Sequence, residues 1–368
     1  MIRFARERMN SMAKIEELDK NFAAVVPTGD YVYRSIWNIP MVVVEGLHPG
    51  TFCRMDPEVL PKMSQGVREL AWHTSGACVR FRAKCRKFGI RMTLRSGDDM
   101  GHMPRTGISG LDVYVGLGSE SRFVQSTRPE YGKTLVETEV ILPAGEDEVT
   151  LWLPLYNGLT DLQLGFYEGE EPVSPMPHCR GKALFYGSSI TQGGCASRTG
   201  NSHVNMLARM LDCGIHNLGF SGNGKGEPDM ADYIASLDFD VLVLEYDHNA
   251  PTAAYLKETH LPFLQRILKG HPDLPVLLVS KPDFDRDAED SVRREIIRDS
   301  YKWMKDRGMR AIFIDGAKLF NGPMADGCTV DGCHPNDLGF YRMATMMYPA
   351  VKELLDGEEA YSELTQEP

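Results

Sequence analysis

The sequence predicts a two-part protein of the α/β class, in which an antiparallel β-sandwich precedes a parallel sheet flanked by helices. Three observations carry this. Apolar runs at 183–186, 215–218, 241–244, 276–279 and 311–314 alternate with amphipathic stretches at about 201–211, 228–237, 253–269 and 288–307. Runs that are apolar throughout suit strands buried on both faces, and the β-then-α rhythm suits a doubly covered parallel sheet. Upstream, from about Tyr31, short segments alternate apolar and polar residues with period two between turn signals, with no convincing helix. Such a series reads as an antiparallel sandwich. Finally, the Pro-rich stretch Glu171-Pro172-Val173-Ser174-Pro175-Met176-Pro177-His178 separates the two textures and reads as a junction.

Taken in order, residues 1–29 place Met12, Ile15, Leu18 and Phe22 at helical spacing and predict a short lead-in helix. Residues 30–178 form the sandwich. Its strands are expected around 79–85, 90–94, 111–115, 138–142, 150–153 and 161–166, and the basic row Arg80, Arg82 and Lys84 reads as the solvated face of the first of them. Residues 179–368 form the parallel-sheet domain, closed by a helix over about 337–355.

Of the 368 residues, 42% are hydrophobic and 25% charged, enough apolar material for two cores. A net charge of -11 and a pI near 5.4 argue against nucleic-acid and anionic-membrane partners, which need a basic face, so neither is expected. The charged first ten residues are not followed by an apolar stretch, and no transmembrane-length run appears, so a cytoplasmic protein is expected. The eight scattered cysteines are expected to be reduced thiols. No cofactor is implied, and self-association stays open.

The chemistry centres on Leu184-Phe185-Tyr186-Gly187-Ser188-Ser189-Ile190-Thr191-Gln192-Gly193-Gly194, an apolar strand that breaks into small residues. Ser189 reads as a nucleophile in a tight turn, with Ser188 one register away as its rival. A serine needs a base and an orienter. Thr329-Val330-Asp331-Gly332-Cys333-His334 offers both. His334 can take the serine proton, and Asp331, three residues earlier, can fix its tautomer.

These blocks resemble the SGNH/GDSL hydrolases. Asn217-Leu218-Gly219-Phe220-Ser221-Gly222-Asn223-Gly224 is similar to that family's second block, and Asn249 occupies the asparagine position of its third. The resemblance implies a flavodoxin-like fold and an oxyanion hole formed by Ser189, Gly222 and Asn249. It implies a serine esterase acting on short acyl groups, acetyl above all, carried by a carbohydrate or glycoconjugate, with acyl transfer or non-catalytic glycan binding as alternatives. Two departures stand out: Ser188 replaces the aspartate of the first block, and Asp247-His248-Asn249 replaces Gly-x-Asn-Asp. Gly110-Leu111-Asp112-Val113-Tyr114 resembles the Gly-x-Asp-Leu-Tyr signature of a β-rich, jelly-roll-like module found ahead of such catalytic domains. Asp112 and Tyr114 read as braces of that sandwich.

Asp247, His248 and His102 are the candidate substrate contacts, and His203 reads as packing or capping. Cys328, Cys333, His334 and Cys195 lack a second close ligand pair, so no metal site is expected. The glycines of 219–226 lack the Gly-Lys-Ser/Thr of a phosphate loop.

Overall fold

The computed structural model describes residues 13–144, 147–282 and 288–357. It opens with a single helical turn, α1 (Ile15–Leu18), and a 3₁₀ turn at Lys20–Phe22. Ile15, Leu18 and Phe22 are all more than half exposed. Among the described residues the expected lead-in helix is a single turn, and the apolar spacing there covers no core; residues 1–12, Met12 included, lie outside the described residues.

The sandwich is built from β1 (Val32–Ser35), β2 (Val43–Glu45), β3 (Cys78–Ala83), β4 (Lys87–Leu94), β5 (Asp112–Val115), β6 (Arg122–Ser126), β7 (Leu135–Ile141), β8 (Asp147–Trp152) and β9 (Leu159–Phe166). They form two antiparallel sheets, ordered β1-β9-β4-β7 and β2-β3-β8-β5-β6. Two short helices, α2 (Gln65–Leu70) and α3 (Arg105–Ile108), interrupt a region in which none was expected. Alternate residues such as Val79, Phe81, Val113, Val149 and Leu151 point into the sandwich core, as the pleat requires.

The opposite face of the β2-β3-β8-β5-β6 sheet is not solvated. Cys78, Tyr114 and Trp152 belong to a second core shared with the C-terminal half. Arg80 therefore departs from the sequence reading. It is 5% exposed, and its guanidinium donates to Glu45 Oε1 (2.9 Å) and to the Met176 carbonyl (2.7 Å). The period was right, but this face of the strand meets protein.

After the junction come β10 (Arg180–Gly187), α4 (Ser189–Gln192), α5 (His203–Leu211), β11 (Cys213–Gly219), α6 (Pro228–Ala235), β12 (Val241–Glu245), α7 (Ala253–Gly270), β13 (Val276–Val279), α8 (Ala288–Lys305), β14 (Ala311–Ile314) and α9 (Asp337–Asp356). The five strands are parallel in the order β11-β10-β12-β13-β14, the flavodoxin-like arrangement. Ala183 and Phe185 of β10 pack on the side of α5 and α9, whereas Leu184 and Tyr186 pack on the side of α6 and α7. Both faces are thus covered, which is why these strands read as unbroken apolar runs. The chain leaves β10 for β11 on one side and β12 on the other. A crevice opens beyond the carboxyl ends of strands at such a reversal, and Ser189 lies there, with only Ser188 between it and the end of β10. Among the described residues, no helix is long and apolar enough to cross a membrane.

Candidate active site

Ser188 caps α4: its hydroxyl accepts from the Ile190 N–H at 3.1 Å, satisfying one of the free donors of a helix start. It is wholly buried. Ser189, the first helical residue, instead directs its Oγ to within 2.9 Å of His334 Nε2. The two serines are thereby separated by one step of backbone geometry.

His334 comes from a loop just before α9. Asn336 caps that helix by accepting from Leu338 and Gly339 N–H groups, and the Val330 N–H donates to the His334 carbonyl at 3.0 Å. His334 Nδ1 lies 2.7 Å from Asp331 Oδ2, and Asp331 Oδ1 accepts from the backbone N–H groups of Cys333 (3.0 Å) and His334 (2.7 Å). Partial burial pushes the Asp331 carboxyl up, but the His334 backbone and ring donors and the Cys333 N–H outweigh it and bring it to about 2. The carboxylate is therefore charged wherever the imidazole can act as a base.

Gly222 has φ +65, a left-handed backbone that glycine adopts without strain. Beside it, Asn249 Nδ2 donates to the Phe220 carbonyl at 3.1 Å, which fixes the amide plane and leaves its second hydrogen for another acceptor. Gln192 ties the turn that carries Ser189 to this loop: its Oε1 accepts from the Ser221 N–H (2.9 Å) and its Nε2 donates to the Leu155 carbonyl (3.2 Å). Tyr156 Oη donates to the Ser189 carbonyl at 3.0 Å.

Asp247 is 2% exposed. It accepts from the backbone N–H groups of Lys281 (3.0 Å) and His248 (3.0 Å), and it holds His248 Nδ1 at 3.3 Å. Both its oxygens are thus engaged within the loop that carries Asn249. His102 belongs to the sandwich half, yet its ring centroid lies 6.1 Å from that of His334. Among the described residues, ligand atoms of His102, Asp331 and His334 come within 4.8 Å of one another. A cation there would take one ring nitrogen of His334 and so displace its contact with Ser189 or with Asp331. His203 is buried and stacks on Phe340.

Several residues around the site left no trace in the sequence reading. Glu245 ends β12 beneath the turn that carries Ser189 and accepts from Thr191 Oγ1 (2.5 Å) and Ser188 Oγ (3.5 Å). Burial pushes its carboxyl up to about 7, against the pull of nearby His248. An aspartate at 188 would set a second carboxylate against it, and serine avoids that. Arg54, wholly buried, donates to the carbonyls of Asn217 (2.8 Å), Gly219 (2.9 Å) and Leu70 (2.7 Å) and lies over the Phe220 ring. Finally, Asp112 and Tyr114, expected to brace the sandwich, reach out of it as well: beyond Ser126 of β6, which Asp112 also holds, their side-chain partners lie elsewhere. The Asp112 carboxylate accepts from Arg198 (2.8 Å) and the Gly200 N–H (2.8 Å), and Tyr114 Oη accepts from Arg198 (2.6 Å). Both partners lie in the catalytic half, because these two residues sit on the sheet face that packs against it.

Residues 181–352 match the GDSL-like Lipase/Acylhydrolase family, and residues 37–171 match GxDLY, the N-terminus of the SGNH-type esterases. No curated protein sequence matches the chain. Among solved structures, it is similar to a protein described as a GDSL-like lipase from Bacteroides ovatus ATCC 8483, with 25% sequence identity and a TM-score of 0.78 over 88% of this chain and 98% of that one. It is also similar to SsfX3, a salicylyl-acyltransferase from a tetracycline biosynthetic pathway, with 20% identity and a TM-score of 0.72 over 88% and 97%. A family two carbohydrate esterase from Cellvibrio japonicus shares the fold at 15% identity, with a TM-score of 0.57 over 89% and 98%. With the two models matched one after the other over most of its length, the chain belongs to the GDSL-like lipase/acylhydrolase family as an SGNH-type esterase preceded by a GxDLY module.

Proposed function

We propose that this esterase removes short acyl groups, acetyl foremost, from a carbohydrate or glycoconjugate through an acyl-Ser189 intermediate. The observation that carries the mechanism is the line of contacts from Ser189 Oγ to His334 Nε2 (2.9 Å) and from His334 Nδ1 to Asp331 (2.7 Å). His334 takes the Ser189 proton as Oγ attacks the ester carbonyl, and Asp331 steadies the imidazolium. The oxyanion of the tetrahedral intermediate accepts from the Ser189 and Gly222 N–H groups and from Asn249 Nδ2, each such donor contributing about 2.7 to 4 kcal/mol. The C–O bond to the alcohol then breaks and His334 returns the proton to the leaving oxygen. Water, deprotonated by the same imidazole, next attacks the acyl-serine and releases the acid.

The substrate class draws support from the fold shared with the Cellvibrio japonicus carbohydrate esterase; in this reading His102, whose ring centroid lies 6.1 Å from that of His334, meets the leaving alcohol, and His248 and Asp247 serve the Asn249 loop. Replacing Ser189 with Ala should lower hydrolysis of p-nitrophenyl acetate by about 10³-fold or more, and p-nitrophenyl octanoate should turn over more slowly than the acetate in the parent enzyme. Undiminished activity in Ser189→Ala removes the nucleophile assignment, and preference for octanoate removes the short-acyl assignment.

A second reading, acyl transfer, draws on the fold shared with SsfX3. The same intermediate would be captured by a hydroxyl in place of water. An acylated product appearing when a glycan acceptor is added would favour it.

A further inference from the structure

The loop over 193–201 touches both halves of the proposed triad. At its start, the Gly193 and Gly194 N–H groups both donate to the Ser189 carbonyl at 3.0 Å. Further on, the Cys195 N–H donates to the carbonyl of Pro335, the neighbour of His334, at 2.8 Å. Asp337, at the first turn of α9, accepts from the Ser197 N–H (2.8 Å), the Ser197 hydroxyl and Asn201 Nδ2 (2.8 Å). One stretch of chain therefore sets the separation between nucleophile and base. It carries only a 3₁₀ turn of its own, at Thr199–Asn201, so something else must keep it in place.

The GxDLY module does so. The Asp112 carboxylate and Tyr114 hydroxyl hold Arg198 and the Gly200 N–H, and the Asp112 N–H donates to Thr199 Oγ1 at 3.2 Å. Thr106 Oγ1 donates to the Ser197 carbonyl at 2.5 Å. A Cβ at Gly200 would lie 2.6 Å from the Tyr114 ring and 2.9 Å from Asp112 Oδ2, so the loop backbone is pressed against the pair. Asp112 is wholly buried, and a buried carboxylate is costly unless it is fully partnered. Its shortest carboxylate bonds, from Arg198 and the Gly200 N–H at 2.8 Å, come from the loop that bridges Ser189 and His334, with Ser126 of β6 as a further partner.

We propose that Asp112 and Tyr114 are positioning residues for catalysis, acting through Arg198, Gly200 and Asp337 to set the distance between Ser189 and His334. This rests on the Ser189–His334–Asp331 reading. A 1 Å displacement of reacting groups can cost about 100-fold in rate, so slackening the loop should appear in turnover before it appears in substrate binding.

The test uses the full chain, p-nitrophenyl acetate and active sites counted with a fluorophosphonate. Asp112→Asn should lower kcat per titrated site by about 10-fold with KM held within about twofold, and Asp337→Asn should do the same. Because both would slacken one relay, the double variant should lose clearly less than the product of the single losses, about 100-fold. Tyr114→Phe removes a single oxygen, should keep the fold and should lower kcat about threefold, so it decides the matter if Asp112→Asn does not fold. Wild-type kcat in the folded variants, or losses that multiply fully in the double, overturns the positioning role. Ser189→Ala runs alongside: retained activity there sinks the triad itself, whereas a dead Ser189→Ala beside fully active Asp112→Asn and Tyr114→Phe sinks the positioning role alone.

Discussion

Asp331 holds His334 twice, once through the ring nitrogen and once through the backbone N–H, at the same distance of 2.7 Å. The first contact fixes the tautomer and the second fixes the loop. Asp331→Asn should therefore lower kcat by about 10⁴-fold while leaving KM near its parent value. Because the carboxyl sits near 2, it should contribute no ionisation to the rate profile above about pH 4. An acid limb that Asp331→Asn shifts without lowering the plateau would contradict this.

Glu245 is a second carboxyl of the site, with the opposite tendency. Its folded value near 7 lies above that of an unfolded chain, so the folded state holds its proton longer. As pH rises from about 4.5 the unfolded chain ionises first, and stability falls by up to about 3 kcal/mol until about pH 7, where it levels off. Glu245→Gln should flatten that decline and be the more stable protein at about pH 8. Urea midpoints across the window would show it. A parent protein with no decline between those limits would refute it.

Arg54 supplies three N–H···O=C bonds from within the core, two of them to the strand end that leads to Gly222. Arg54→Met keeps bulk but strands those carbonyls, at a cost of about 3 kcal/mol or more. The same change should lower kcat, since the Gly222 loop loses its anchor. Equal chemical-denaturation midpoints for variant and parent would show that the carbonyls find other partners.

His178, in the junction, bridges the two halves. Its Nε2 lies 3.0 Å from Glu45 of the sandwich and its Nδ1 2.9 Å from Asp212 of the catalytic half, with Arg80 on the far side of Glu45. Burial pulls the imidazole down, but the two carboxylates outweigh it and raise it. Glu45 is brought down to about 2 despite its own burial, chiefly by His178 and Arg80. The His178 contribution is thus complete below the unfolded value and fades as pH rises through the folded one. His178→Gln should cost more melting temperature at about pH 5.5 than at about pH 9. The reverse order, or equal losses, would rule out a protonated bridge.

The parallel sheet was legible because its strands are buried on both sides and need no pattern beyond an apolar run. The sandwich was legible where strands are central. Val32–Ser35, Val43–Glu45 and Arg122–Ser126 escaped because edge strands are short and their burial is uneven. Alternation at Arg80 gave the right period and the wrong surroundings, since local sequence cannot say what covers a sheet. Ser189, Asp331 and His334 stood out through compact motifs. Arg54 and Arg198 did not, because the partners that give them meaning lie 163 and 86 residues away, and no short-range pattern encodes such a contact.

Cys53, Met55, Leu60 and Val67, all upstream of the junction, fill one core of the parallel-sheet half, while Tyr114 and Trp152 fill the other. Neither half can be excised without opening hydrophobic surface on both sides of that sheet. A clone encoding only the hydrolase segment should yield aggregates, since the sticky surface it uncovers has no other lid among the described residues.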